Sequence, residues 1–207
     1  MSEWSHCSRE TRSTVSTELA WSCGEWTTRP AAVVEHGTDL LVTAAEGSDA
    51  WRVTSYGFVH DTEHALLAPL PLDSAMEVEF TAAFSQQFDQ AGIFVRVSAE
   101  HWVKAGVEFA DGAAQLGAVV TDRFSDWSLA PVPEWNGGRV RVRISRSGDA
   151  LTIRAAAGTG PLQLVRVVPF SPELAAFAGP FTCAPTRAGL TVPFHSWRVT
   201  PPDSQLH

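Results

Sequence analysis

Lys104 and Glu108 stand four residues apart in Trp102-Val103-Lys104-Ala105-Gly106-Val107-Glu108. In an extended strand this spacing puts an ammonium and a carboxyl on one face, about 13 Å apart at about 3.3 Å per residue. That gap is too wide for a direct ion pair and wide enough for one small ring or sugar residue. Lys104 is the one lysine of the chain, against fourteen arginines, and Tyr56 is its one tyrosine. A compact ammonium on a flexible stem is not interchangeable with a planar guanidinium. The retained lysine therefore reads as a ligand contact or a proton-transfer group. The plainer alternative is a solvated strand residue left by a biased composition.

Two chemistries fit the pair. As an enzyme acting on a sugar or sugar acid, Lys104 would serve as electrophile or base and Glu108 as acid or base. A glycosidase needs a second carboxylate, about 5–5.5 Å away for retention or about 6.5–9.5 Å for inversion. The central strand offers none, so Asp126 or Asp49 would have to supply it from a loop. As a binding module, the indoles of Trp51, Trp102 or Trp127 would stack on a ring. Gln90, Arg96, Lys104, Glu108 and Gln115 would then take hydroxyls or a carboxylate.

The elements that must position these groups are strands. Met76, Val78 and Phe80 alternate with Glu77 and Glu79, and Val140, Val142 and Ile144 alternate with Arg139, Arg141 and Arg143, the period-2 signature of half-buried strands. The arginine stripe reads either as a phosphate-binding track or as a solvated face opposite Glu77 and Glu79. Further strands are expected near 33–44, 51–59, 88–97, 101–110, 114–121, 150–156, 162–168 and 191–199. A single helical turn is expected near 171–176, capped by Ser171 with Pro172 in its first turn. Phe124-Ser125-Asp126-Trp127-Ser128 reads as a loop. Many short strands parted by turn residues predict an all-β sandwich of two antiparallel sheets. Residues 1–20 read as a polar extension, 21–200 as one domain and 201–207 as a tail.

Register concentrates the candidate groups. Asp111-Gly112 predicts a two-residue type I′ hairpin, which pairs Glu108 with Gln115, Gly106 with Gly117 and Lys104 with Val119. A looser turn before Trp102 pairs Gly92 with Gly106, Gln90 with Glu108, Phe94 with Lys104 and Arg96 with Trp102. Gly92, Gly106 and Gly117 then line up across three strands. Glycine inside a strand marks close approach to the backbone, so this row reads as the floor of a ligand groove, or as a half-exposed face whose glycines relieve twist. Trp51, Tyr56, His64 and Trp127 would form its rim.

Composition narrows the classes. A 207-residue chain that is 44% hydrophobic, with eight Trp and eleven Phe, can bury a sizeable core. Its formal net charge of -8 disfavours nucleic acid and anionic membrane surfaces, where cationic contacts supply the affinity. No apolar run approaches the length of a membrane span. The segment Met1-Ser2-Glu3-Trp4-Ser5-His6 lacks signal-peptide features, so a cytoplasmic protein is expected. Cys7, Cys23 and Cys183 have no metal-ligand spacing and read as reduced thiols, with a Cys23–Cys183 bridge as the alternative. His64, His101 and His195 are dispersed. No metal and no cofactor is expected.

Several segments, in order, resemble one family: Ser48-Asp49-Ala50-Trp51, Tyr56-Gly57-Phe58, Asp89-Gln90-Ala91-Gly92, Trp102 to Glu108, Asp111-Gly112, Val119-Val120-Thr121 and Ser125-Asp126-Trp127-Ser128. It is the domain-of-unknown-function family labelled "regulation of enolase protein, concanavalin A-like superfamily". The resemblance runs from about Trp26 to Val199. It implies a concanavalin A-like jelly-roll sandwich, no established reaction, and a regulatory role with a protein partner for some members. Three positions depart from the family pattern: Ala50 replaces an aromatic, Glu63 replaces a glycine, and Gly158-Thr159-Gly160 replaces an Asp-Gly turn before Trp. Carbohydrate or related small-ligand binding is the first expectation, an enzyme on such a ligand the second, and a protein-partner module the third.

Overall fold

The alternating strands pair as their apolar faces require. The computed structural model describes residues 16–206. Along the chain the strands are β1 (Thr17–Glu18), β2 (Glu25–Trp26), β3 (Ala32–His36), β4 (Asp39–Thr43), β5 (Ala50–Arg52), β6 (Val59–Asp61), β7 (His64–Pro69), β8 (Ser74–Thr81) and β9 (Gln90–Arg96). They continue as β10 (His101–Ala110), β11 (Ala113–Asp122), β12 (Phe124–Pro131), β13 (Arg139–Ser147), β14 (Ala150–Ala157), β15 (Gln163–Pro169), β16 (Phe177–Cys183) and β17 (Thr191–Thr200). One sheet runs β15-β14-β13-β8-β17-β4-β3, with β1 added beside β17, and the other runs β12-β11-β10-β9-β16-β7-β2. Every strand pairing within them is antiparallel. The main core lies between the sheets, with Val78, Phe80 and Ile144 from one meeting Ile93, Val103 and Val107 from the other. This is the expected all-β sandwich.

The expected register is observed across the site-bearing strands. Asp111 and Gly112 both have positive φ, 55° and 80°, as a type I′ turn demands. Glu108 lies opposite Gln115 and Gln90, Gly106 opposite Gly117 and Gly92, and Lys104 opposite Val119 and Phe94. The arginine stripe meets carboxylates: Arg139 pairs with Glu79 at 2.6 Å and Arg143 with Asp203 at 2.8 Å. It is a balanced outer face, and Arg141 spends its guanidinium on the carbonyls of Gly158 and Gly160.

Some expected elements differ. The strand expected over 51–59 is broken into β5 and β6 by a turn in which Val53 and Ser55 have φ of 64° and 61°. A β-branched residue seldom adopts that conformation; here the Val53 N–H donates to the Phe58 carbonyl at 2.8 Å and fixes it. The segment 33–44 is likewise a hairpin of two strands turning at Gly37. No helix forms at 171–176, because carbonyls a helix would use are taken: Arg146, buried, donates to Pro172 and Leu174, and Leu70 N–H donates to Ala176. The described helical turns are 3-10 turns at Trp21–Cys23 and Pro133–Trp135. The Phe124–Ser128 segment is strand rather than loop, since Arg123 at φ 62° turns the chain back onto β11. Of the polar extension, residues 1–15 lie outside the described residues, while Thr17–Glu18 pair with Val199 and Arg198. Cys183 is a free, buried thiol, so no Cys23–Cys183 bridge forms. Cys23 is itself disulfide-bonded, so the expectation of reduced thiols holds for Cys183 alone of these two. No helix among the described residues is long and apolar enough to cross a membrane.

Candidate functional site

The outer face of β9–β11 is not an open sheet. After β4 the chain crosses it through Glu46–Asp49 and folds the β5–β6 hairpin over it. Ser48 fastens this crossing, with Oγ donating to the Ala45 carbonyl at 2.7 Å and accepting the Ala184 N–H at 3.0 Å. At the far side the Arg52 N–H donates to Ser125 Oγ at 2.9 Å, and the Arg52 guanidinium pairs with Glu100 at 2.9 Å. Beneath the hairpin lies a second apolar cluster that includes Trp51, Phe94, Trp102, Val119, Phe181 and Cys183. Phe94 and Trp102 stack there at 5.3 Å between centroids.

Between this cluster and the strand ends a cavity of about 350 Å³ remains, within the range typical of small-molecule sites. Its walls are aromatic: Trp51, Tyr56, Phe58 and His60 from the hairpin, Trp127 from β12 and Phe88 from the turn before β9. Its polar floor is Asp49, Gln90, Lys104 and Glu108. Trp51 meets Trp127 at 6.0 Å with an interplanar angle of 84°, and Tyr56 at 5.5 Å and 70°.

The floor has one paired cation and one unpaired acid. Lys104 Nζ donates to Asp49 Oδ1 at 3.0 Å and to Gln90 Oε1 at 2.8 Å. Because Gln90 lies opposite Glu108, the lysine stem must lean along β10 across Gly106 to reach it. Gln90 Nε2 donates to the Phe88 carbonyl at 3.2 Å, and the Ala50 N–H donates to Asp49 Oδ1 at 2.8 Å. Burial alone would push the Lys104 ammonium down, but Asp49, Cys183 and Glu108 outweigh it and its pKa is raised. Glu108 Oε1 is buried and accepts no hydrogen bond from the protein. Burial pushes the Glu108 carboxyl up to about 7; Lys104 opposes that shift and Asp49 adds to it. A carboxyl poised near neutrality in a cavity is suited to bind a donor or to move a proton.

The other expected site residues have different partners. Phe94 and Trp102 belong to the buried cluster and do not line the cavity. Arg96 pairs at 2.9 Å with the buried Glu63, whose carboxyl is pushed up by burial against the pull of Arg96; Glu63 is one of the departures from the family pattern. His64 is buried, with Nε2 accepting the Ala45 N–H at 3.0 Å and Nδ1 bonded to the Thr28 carbonyl at 3.0 Å. Burial lowers its pKa, against the Thr28 carbonyl, so it braces the crossing rather than meeting solvent. Gln115 reaches the Ala110 carbonyl and lies outside the cavity. Asp126 sits beside Trp127 in β12 and so points to the opposite face, where Arg166 holds it at 2.9 Å. The second acid at the cavity is Asp49.

The glycine row has a cause other than ligand clearance. A Cβ on Gly92 would stand 2.0 Å from the Ala105 carbonyl oxygen, and one on Gly106 2.1 Å from that of Ala91. At Gly117 it would meet the Ser128 oxygen at 2.3 Å and the Leu129 side chain at 2.5 Å. The glycines let neighbouring backbones close up, and above Gly106 and Gly117 only about 20 Å³ stays empty. Phe58, His60 and Phe88 line the cavity yet were not among the expected contacts. The signal for Phe58 and His60 was the aromatic alternation of Tyr56, Phe58 and His60 beside the turn. Phe88 carried none, since its φ of 66° is invisible in the sequence.

Residues 26–202 match the family described as "Protein of unknown function (DUF1349)". The chain is 35% identical over 189 residues to "Regulation of enolase protein 1" of Saccharomyces cerevisiae, covering 90% of this chain and 92% of that protein. It superposes with a TM-score of 0.82 and 33% identity on the crystal structure of a functionally unknown protein from Saccharomyces cerevisiae, over 90% of this chain and all of that one. The GH43 protein BlXynB of Bacillus licheniformis gives a TM-score of 0.68 at 10% identity, over 89% of this chain and 38% of that chain. That likeness shows a shared two-sheet β-sandwich and nothing of chemistry.

Proposed function

The chain belongs to the DUF1349 family of proteins of unknown function, and we propose that within it this protein binds a carbohydrate or a closely related small polar ligand in the cavity under the β5–β6 hairpin. One observation carries the reading: an aromatic-walled cavity of about 350 Å³ ends on the hydrogen-bonded Asp49–Lys104–Gln90 group. Ring faces offer apolar CH groups a stacking surface, and the floor offers both donors and acceptors to hydroxyls. Trp127 is an exposed ring of the wall, at 37%, as are Tyr56 and Phe58, so a ligand can reach it without unfolding anything.

The experiment is a thermal-shift screen with neutral monosaccharides and oligosaccharides on the wild type and Trp127→Ala. A ligand at 100 times its Kd adds about 2.7 kcal/mol, or roughly 5–10 °C at this chain length. A shift that is lost in Trp127→Ala supports the cavity. A shift that persists unchanged sinks this location for it.

A second reading, an enzyme on such a ligand, is favoured by the Glu108 carboxyl alone. Its partner acid Asp49 is already committed to Lys104, which leaves one free acid–base group. Turnover retained in Glu108→Gln would end that reading. The name of the yeast relative, together with the exposed Tyr56, Phe58 and Val59 at the hairpin, supports a protein-partner role as the third, and absence of any sugar response would favour it.

A further inference from the structure

Resting on the carbohydrate reading of the same cavity, we propose that its ligand carries a protonated amine: an aminated sugar in preference to a neutral one. The floor holds two carboxyl groups, Asp49 and Glu108, and one ammonium, Lys104. The lysine is spent on Asp49 and Gln90. Glu108 lines the cavity, and its Oε1, itself buried, has no hydrogen-bond partner within the protein. Among the described residues no arginine lines this cavity, and Lys104 is its one basic side chain besides His60. Glu108 is therefore the carboxyl of the floor that no cation holds.

The walls point the same way. A sugar ring stacks on an aromatic face, which any one of these rings can offer. Here Trp127 and Tyr56 stand at 84° and 70° to Trp51, so rings bound the space from several directions. Such a box, with π faces and edges in turn, suits an ammonium, which is attracted to ring faces within about 6 Å. A ligand ammonium would also give the Glu108 carboxyl at the cavity floor the cationic partner that Lys104 gives Asp49. The raised Glu108 carboxyl agrees with this: burial, opposed by Lys104, holds it near 7 for want of a closer counter-charge. With the ligand ammonium in place it would ionise and pair.

The test is isothermal titration of the full chain at neutral pH with glucosamine, glucose and N-acetylglucosamine, on wild type and on Glu108→Gln. The expected result is glucosamine binding at least tenfold tighter than the two neutral sugars, with the preference reduced to about onefold in Glu108→Gln. Circular dichroism checks that the variant is folded. If it is not, Trp127→Ala serves instead, and it is expected to weaken glucosamine more than glucose. Equal or tighter binding of the neutral sugars overturns the amine proposal and leaves the carbohydrate reading standing. A glucosamine preference that survives Glu108→Gln overturns it as well. Binding of none of the three sugars removes the carbohydrate reading and the inference with it.

Discussion

Lys104 and Glu108 share one face of β10, yet the lysine gives its protons to Asp49 and Gln90 and the nearby Glu108 Oε1 receives none. The strand spacing sets them apart, and the hairpin crossing, by delivering Asp49, decides which acid the lysine takes. The floor is thus a settled ion pair beside an unsettled carboxyl.

Removing the lysine should be costly. Lys104→Met leaves Gln90 Oε1 without its donor and Asp49, which keeps the Ala50 N–H, without its counter-charge. Breaking a buried pair from one side costs about 3–5 kcal/mol, so urea unfolding should show a loss of that order. A loss below about 1 kcal/mol would mean that Asp49 is solvated well enough to stand alone.

Glu108 predicts a pH dependence of definite sign. Its carboxyl titrates near 4.5 when unperturbed and at about 7 in the folded protein. Between these values the folded state holds the proton more tightly, so stability falls as pH rises through the window and levels off above it. The span is worth on the order of 3 kcal/mol. Unfolding curves at pH 4 and pH 8 should show that fall in the wild type and lose most of it in Glu108→Gln. Parallel profiles for the two proteins would place the titration elsewhere.

Gly92→Ala separates the two explanations of the glycine row. If the row existed to admit a ligand, alanine would weaken binding and leave the fold intact. A Cβ 2.0 Å from a backbone oxygen cannot be relieved by a rotamer change. The expected result is destabilisation at or beyond the upper end of the roughly 1–3 kcal/mol usual for overpacking. A variant as stable as the wild type would restore the ligand-clearance account.

The sandwich, the hairpin at Asp111-Gly112 and the row Gly92–Gly106–Gly117 were legible because each rests on period-2 alternation or on local turn chemistry. So was the outward face shared by Lys104, Glu108 and Gln90. What lay on top of that face was not legible. Phe94 and Trp102 share it with Lys104, and nothing in their spacing reveals that a hairpin from forty residues upstream folds over them. Asp126 was misplaced by one position of alternation, since reading its segment as a loop removed the face assignment that a strand imposes. Arg96 looked free until Glu63, thirty-three residues away, arrived to bind it.

The β5–β6 crossing has a further consequence. The sheet contributes Gln90, Lys104 and Glu108 from strands whose register cannot slip without exposing the core. Asp49 and the rings of Trp51, Tyr56, Phe58 and His60 all come from one contiguous stretch, tied down by Ser48, Arg52 and Ser125 at its margins. Ligand choice can therefore diverge by exchange of about fifteen residues while the scaffold stays constant, and a graft of 47–61 between two relatives should carry selectivity with it as a unit.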